Sequence, residues 1–144
     1  MARTWWNRLT AYSDEIDEAY DILSALTLGP VCHRLTRELA YGQQRLLEIA
    51  LALAAKPKVL LLDEPAAGVP RGESRELFAA IAGLSRDITV LFIEHDMDLV
   101  FRFASRVIVM VGGRVLVEGT PAEIAADPQV RAVYLGKARH GAAP

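Results

Sequence analysis

Two adjacent carboxylates, Asp63 and Glu64, follow the apolar run Val59-Leu60-Leu61-Leu62 and precede Pro65. At the carboxyl end of a buried strand, where open α/β sheets bind ligands, such a pair can divide labour. One carboxylate holds Mg²⁺, directly or through water, and the other orients or deprotonates an attacking water. The plain alternative is a solvated turn, since Asp, Glu and Pro all favour loops. A second apolar run, Ile88 to Ile93, ends in Glu94-His95-Asp96. If its strand neighbours the first, His95 falls at the corresponding edge of the same sheet and is a candidate clamp for a terminal phosphate. The third group is Leu39-Ala40-Tyr41-Gly42-Gln43-Gln44-Arg45, directly before a helical pattern. Gly42 lets a ligand approach the backbone, and the N–H groups of a helix start favour an anion.

Metal and disulfide chemistry find little support. Cys32 is the single cysteine, which excludes an internal disulfide and suits a reducing compartment. His33 stands beside it, but His95 and His140 do not complete a zinc-ligand spacing.

The elements that must position these groups are legible from periodicity. Ile16, Ala19, Tyr20 and Leu23 recur at helical spacing and predict a helix ending near Gly29-Pro30. A second helix is expected from about Gly42 to Ala55, burying Leu46, Ile49, Ala50 and Leu53 and stopped by Lys56-Pro57. Val59–Leu62 reads as a strand buried on both faces of a parallel sheet. Arg71 to Ser85 reads as a helix with Leu77, Phe78, Ile81 and Leu84 on one side, followed by the strand Ile88–Ile93 and a further helical stretch. Gly112-Gly113 between Val107–Val111 and Val115–Val117 predicts a tight hairpin, because a primed turn needs positive φ at both positions. Thr120-Pro121-Ala122-Glu123 is a capping box with Pro at the first helical position. Asp127-Pro128 begins a last short helix through Val133, closed by Gly136. Strand, helix, strand, then hairpin and helices make an α/β fold with a parallel central sheet.

Composition narrows the class. A chain of 144 residues with 52% hydrophobic and 24% charged residues is ordinary for one globular domain. A formal net charge of −2 argues against nucleic acid as a partner, since a basic stripe is missing. No apolar run reaches membrane-span length, and the start, with Arg3 and Arg8 around Trp5 and Trp6, is not a secretory signal. Those tryptophans are read as packing residues rather than a membrane anchor, because Asp14, Glu15, Asp17 and Glu18 follow them.

Together these residues resemble the ABC ATPase family, over roughly residues 15–136. Leu39-Ala40-Tyr41-Gly42-Gln43 looks like the family signature, usually written LSGGQ; Val59–Asp63 looks like the Walker B strand; Glu64 matches the catalytic glutamate and His95 the switch histidine. Ala67-Gly68-Val69-Pro70 occupies the D-loop position. The variants Tyr-Gly-Gln-Gln-Arg, Asp-Glu-Pro-Ala-Ala-Gly and Glu-His-Asp-Met are similar to those of the branched-chain amino acid uptake ATPases. So is the tail with Asp127-Pro128 and Tyr134-Leu135-Gly136. Urea-uptake ATPases share much of this pattern. The tail argues against a lipid or polysaccharide exporter.

The resemblance implies a partial P-loop NTPase fold in one domain, residues 1–144. About 1–56 would be the helical signature region, 57–111 the Walker B and switch-histidine core, and 112–144 the hairpin and branched-chain-type tail. It implies ATP and Mg²⁺ as ligands, with Asp63 on Mg²⁺, Glu64 and His95 catalytic, and residues 39–43 on a partner's ATP. The implied partners are a second ABC ATPase subunit, in a homo- or heterodimer, and membrane permease subunits on the cytoplasmic face of the inner membrane. Ala40 replaces the signature serine, and Pro70 stands where Asp or Asn is usual. The sequence contains no G-x-x-x-x-G-K-[ST], hence no phosphate cradle. The chain therefore looks like the C-terminal portion of a cassette, expected to bind MgATP poorly and not to turn it over alone. A non-enzymatic module that pairs with a P-loop-bearing partner is the alternative.

Overall fold

Helix α1 spans Ser13–Ala25, with Asp14 and Glu15 in its first turn, where their charge complements the helix dipole. It stops earlier than the expected Gly29. Thr27 takes the left-handed conformation (φ +61°) usually left to glycine. The Thr27 N–H donates to the Ser24 carbonyl at 3.0 Å and the Leu28 N–H to that of Leu23 at 2.7 Å. Leu26 and Leu28 on either side are essentially fully buried, and their packing holds Thr27 in this conformation. The computed structural model describes residues 12–135. Trp5, Trp6 and the expected stop at Gly136 lie outside the described residues. The chain divides into two compact units, the first ending at Ile93 and the second starting at Glu94.

In the first unit α2 covers Tyr41–Leu53 and buries Leu46, Ile49, Ala50 and Leu53, the face its periodicity predicted. Lys56, at φ +53°, turns the chain out of the helix before Pro57. Its Nζ lies 2.6 Å from Glu18 Oε1 of α1, a solvent-exposed pair of small energetic weight. Strand β1 is Val59–Asp63, helix α3 Arg71–Ala82 and strand β2 Thr89–Ile93. β1 and β2 pair in parallel, Val59 opposite Thr89 through Asp63 opposite Ile93. Helix α3 buries Leu77, Phe78 and Ile81, and the Phe78 ring meets Phe92 of β2 edge-on, centroids 5.0 Å apart.

The sheet is parallel as expected, but β1 is not buried on both faces. Leu60 is 4% exposed, whereas Val59, Leu61, Leu91 and Ile93 are 54–69% exposed. Because side chains alternate across a strand and the register pairs Leu61 with Leu91, these four share one face. Among the described residues nothing covers it; the other face packs on the helices.

In the second unit Asp96 caps α4 (Met97–Phe103), its Oδ1 accepting the N–H of Asp98 at 3.0 Å and of Leu99 at 3.4 Å. Strands β3 (Val107–Val111) and β4 (Arg114–Gly119) form an antiparallel hairpin with a register shift between Val109 and Met110. Gly112 and Gly113 both have positive φ, +57° and +75°, as the expected primed turn requires. Arg106 Nε donates to Glu118 Oε1 at 2.6 Å.

Helix α5 (Pro121–Ala126) starts with the full capping box. The Thr120 N–H donates to Glu123 Oε2 at 2.7 Å, and the Glu123 N–H to Thr120 Oγ1 at 3.4 Å. That backbone hydrogen bond, and then the Thr120 hydroxyl, hold the Glu123 carboxyl below its ordinary pKa. Asp127 caps the short helix α6 (Pro128–Val130), which widens into a π turn over Arg131–Leu135. Among the described residues of this unit Leu99, Val100, Val107, Val109, Ile124 and Val130 are the buried apolar ones. No described helix is long and apolar enough to cross a membrane.

Candidate functional site

The two carboxylates sit where β1 leaves its sheet. Asp63 is the last residue of the strand and Glu64 the first beyond it, both exposed. The Glu64 N–H donates to the Ile93 carbonyl at 2.9 Å, extending the parallel ladder by one bond, and its carbonyl accepts the Ala67 N–H at 2.9 Å. Between these restraints Glu64 has φ +44°. A non-glycine residue in this region carries about 1–3 kcal/mol of strain, and the following Pro65 narrows its choices further. The turn is therefore held against its local preference by backbone bonds on both sides of Glu64.

A cleft of about 280 Å³ runs beside β1. Asp63, Glu64, Arg45 and Glu48 line its polar parts and Leu60 and Ile49 its apolar floor. Arg45 Nη1 donates to Glu48 Oε2 at 2.8 Å and Nη2 to the Tyr41 hydroxyl at 3.0 Å, with the guanidinium 5.3 Å from the Tyr41 ring centre. The hydrogen bond to Glu48 raises the Arg45 pKa above its usual value, so the guanidinium stays charged. Arg45 Nε is buried without a partner.

Residues 39–43 lead through the N-cap Ala40 into the first turn of α2 and do not line that cleft. The Leu39 carbonyl accepts from Gln44 Nε2 at 3.0 Å, and the Ala40 N–H donates to Gln43 Oε1 at 3.1 Å. Gly42 is buried, and its N–H donates to Glu73 Oε2 of α3 at 3.0 Å. Tyr41 lies against Gly68, whose φ of +74° favours glycine; a Cβ there would stand 3.5 Å from Tyr41 Cε1, in ordinary contact with the ring. The helix start is thus docked on the segment that follows Glu64. His95 belongs to the second unit, where it is exposed immediately before the Asp96 cap of α4. Cys32 and His33 join no cluster of three or more metal-binding side chains among the described residues. Glu73 and Glu48 carry no signal of their own in the sequence, and Arg45 figures there only as the end of the 39–45 run. The one available signal for Glu73 was Ala40, a residue without a capping oxygen at a helix start.

Comparison with known proteins gives this geometry a family. A family model described as "ABC transporter" matches residues 3–67, and one described as "Branched-chain amino acid ATP-binding cassette transporter" matches residues 114–140. The chain is 43% identical over 130 residues to the high-affinity branched-chain amino acid transport ATP-binding protein LivG of Salmonella typhimurium, covering 89% of this chain and 51% of LivG. It is 44% identical over 118 residues to BraF of Pseudomonas aeruginosa, covering 81% of this chain and 46% of BraF. Among solved structures, the ADP conformation of MJ1267, an ATP-binding cassette of an ABC transporter, superposes with a TM-score of 0.75 at 34% identity. That match covers 85% of this chain and 50% of MJ1267. CbiO1 of Clostridium perfringens, part of the ABC transporter complex cbiONQ, superposes with a TM-score of 0.72 at 34% identity, over 85% of this chain and 51% of its own. The chain spans about half the length of the curated relatives it matches. With the parallel sheet, the carboxylate pair at its edge and these likenesses together, the chain belongs to the ATP-binding cassette family of ABC transporters.

Proposed function

We propose that this chain is the signature and carboxylate half of the ATPase subunit of an ABC importer for branched-chain amino acids. The observation that carries this reading is the turn after β1, where Asp63 and Glu64 stand exposed and Glu64 is pinned at positive φ by Ile93 and Ala67. In a complete cassette Asp63 holds Mg²⁺, Glu64 takes the proton of the attacking water, and His95 holds the γ-phosphate. Residues 39–43 reach the ATP of a second ATPase subunit, and the dimer works on permease subunits at the cytoplasmic face of the inner membrane. The branched-chain substrate rests on LivG, BraF and the match over residues 114–140.

The donor set fits Mg²⁺, which keeps several waters and phosphate oxygens and needs only one or two carboxylates. No third metal-binding side chain joins Asp63 and Glu64 among the described residues, so no closed protein cage competes with that arrangement. When bound, the ion neutralises charge on the phosphate oxygens. The part of this chain is to present Asp63 from a fixed strand end and to hold Glu64 in an orientation set by its backbone. The proposed division of the chain into a signature region (1–56), a core (57–111) and a tail (112–144) follows the same reading.

The test is MgATP turnover. The 144-residue chain alone gives none, because its sequence has no phosphate cradle. Mixing it with a P-loop-bearing half of a branched-chain cassette restores turnover, and Glu64→Gln abolishes it. Turnover by the pure chain that disappears in Glu64→Gln would overturn the prediction of inactivity. No turnover in any mixture that forms a stable complex would sink the ATPase reading.

A second reading is a non-enzymatic module that pairs with a P-loop-bearing partner. The exposed face of Val59, Leu61, Leu91 and Ile93 favours association, as an apolar sheet face and edge seek a cover. Co-purification of such a partner without turnover supports it; a stable, inert monomer counts against it.

A further inference from the structure

Helix α2 begins without a side-chain cap. Ala40 occupies the N-cap and offers only a methyl group, while the first N–H groups of any helix need acceptors. Gln43 reaches back to the Ala40 N–H, which is half of a capping box. The other half comes from another helix. Glu73, 31 residues along the chain, accepts the Gly42 N–H at 3.0 Å in a partly buried position. The approach is so close that a Cβ on Gly42 would lie 2.9 Å from Glu73 Oε2 and 3.2 Å from Glu73 Cβ. Glycine at 42 and glutamate at 73 therefore belong to one device, and beside it Tyr41 of the same helix start rests against Gly68 in the loop before α3.

We propose that Glu73 is the surrogate N-cap of α2 and that it holds the N–H which a phosphate arriving at residues 39–43 must take over. The capping half of this statement is independent of the ATPase reading; the displacement half rests on it. As the structure stands, a carboxylate already neutralises the positive end of α2 at Gly42. An incoming phosphate meets that negative charge and the same single hydrogen, so Glu73 has to turn away before the signature can engage. Glu73 is a positioning residue that keeps the signature closed and tied to the segment beyond Glu64 until a ligand competes for the site.

Two measurements on the 144-residue chain test this. The first is a double-mutant cycle of Ala40→Ser and Glu73→Ala in urea unfolding. Glu73→Ala lowers the folding equilibrium constant roughly fivefold to tenfold, the scale of a lost cap. Ala40→Ser supplies a new capping oxygen and recovers most of that loss in the Glu73→Ala background while adding little to the wild type. Additive effects overturn the surrogate cap. Should Glu73→Ala fail to fold, Glu73→Gln enters the same cycle, with a smaller loss because its amide oxygen still accepts the bond. The second follows the Gly42 amide in ¹⁵N-labelled protein titrated with inorganic phosphate, with the α3 amides as a check on fold. Half-saturation falls roughly tenfold in Glu73→Ala relative to wild type, the weight of one charge-assisted hydrogen bond. Equal response in both proteins, or none in either, overturns displacement. A non-additive cycle beside a failed turnover test leaves the cap standing and removes the ATPase reading, so the two failures are distinguishable.

Discussion

Leu60 and Leu61 are adjacent, chemically identical and set for opposite outcomes on substitution. Leu60 is 4% exposed and faces the helices, so Leu60→Ala is expected to cost about 2–5 kcal/mol in lost contacts and cavity. Leu61 is 69% exposed, and Leu61→Thr, which places a strand-favouring β-branched side chain there, is expected to change stability by no more than about 0.5 kcal/mol. The same position matters in a different experiment. Full burial of an aliphatic side chain contributes about 1.5–3 kcal/mol, and the four residues of the open face each have more than half of their surface left to bury. A cover over Val59, Leu61, Leu91 and Ile93 thus gains roughly 5 kcal/mol, of which Leu61 supplies about 1 kcal/mol or slightly more. Urea unfolding followed by far-ultraviolet circular dichroism measures the first effect. Sedimentation of the chain mixed with a P-loop-bearing half measures the second, as an association constant reduced roughly fivefold to tenfold in Leu61→Thr. If Leu61→Thr unfolds as easily as Leu60→Ala, the face is covered within the chain and the reasoning is wrong.

Glu64→Gly removes the strain of a left-handed glutamate and is expected to raise stability by about 1 kcal/mol while eliminating turnover in the complemented enzyme; a lower urea midpoint would contradict the strain argument. Asp127→Ala removes the acceptor of the Gln129 and Val130 N–H groups, at 2.8 and 3.0 Å, and should cost about 1 kcal/mol, read as a lower melting temperature. The Glu123 carboxyl is held below its ordinary pKa by the Thr120 backbone and hydroxyl, so folding favours its ionised form. Its contribution to α5 is complete above the ordinary carboxylate range and is lost as pH falls through the lowered value. A carbon-detected NMR titration reads this directly, and a Glu123 midpoint at or above the usual value would refute it.

Local signals carried most of the architecture into the sequence. The buried face of α2, the Gly112-Gly113 turn and the Thr120 and Asp127 caps all depend on residues within a few positions of one another, which is why periodicity and cap chemistry find them. What escaped is non-local. Thr27, Lys56 and Glu64 adopt conformations that composition assigns to glycine, and at Thr27 and Glu64 the cause is burial of flanking leucines or a bond to a neighbouring strand. An apolar run such as Val59–Leu62 reports that both faces suit burial, and it cannot report what covers them. Glu73 was invisible for the same reason, since its meaning depends on the Gly42 N–H that tertiary packing brings to it. The motif residues Asp63, Glu64 and 39–43 were legible as types and spacing, while their support by Ile93, Ala67 and Glu73 was not.

The two strand pairs also differ in how long they take to meet. β3 and β4 are joined by a two-glycine turn, a closure of the kind completed within about 1–10 μs. β1 and β2 meet only by closing a loop that contains α3, and that longer closure costs chain entropy before any pairing contact offsets it. Before that closure Val59–Leu62 would be an apolar segment with both edges unpaired, the form most open to pairing with a neighbouring molecule. The crossover that lays the two carboxylates at the end of the sheet is therefore expected to be the slower closure of the two, and expression at low temperature or low concentration should favour the correct partner over the wrong one.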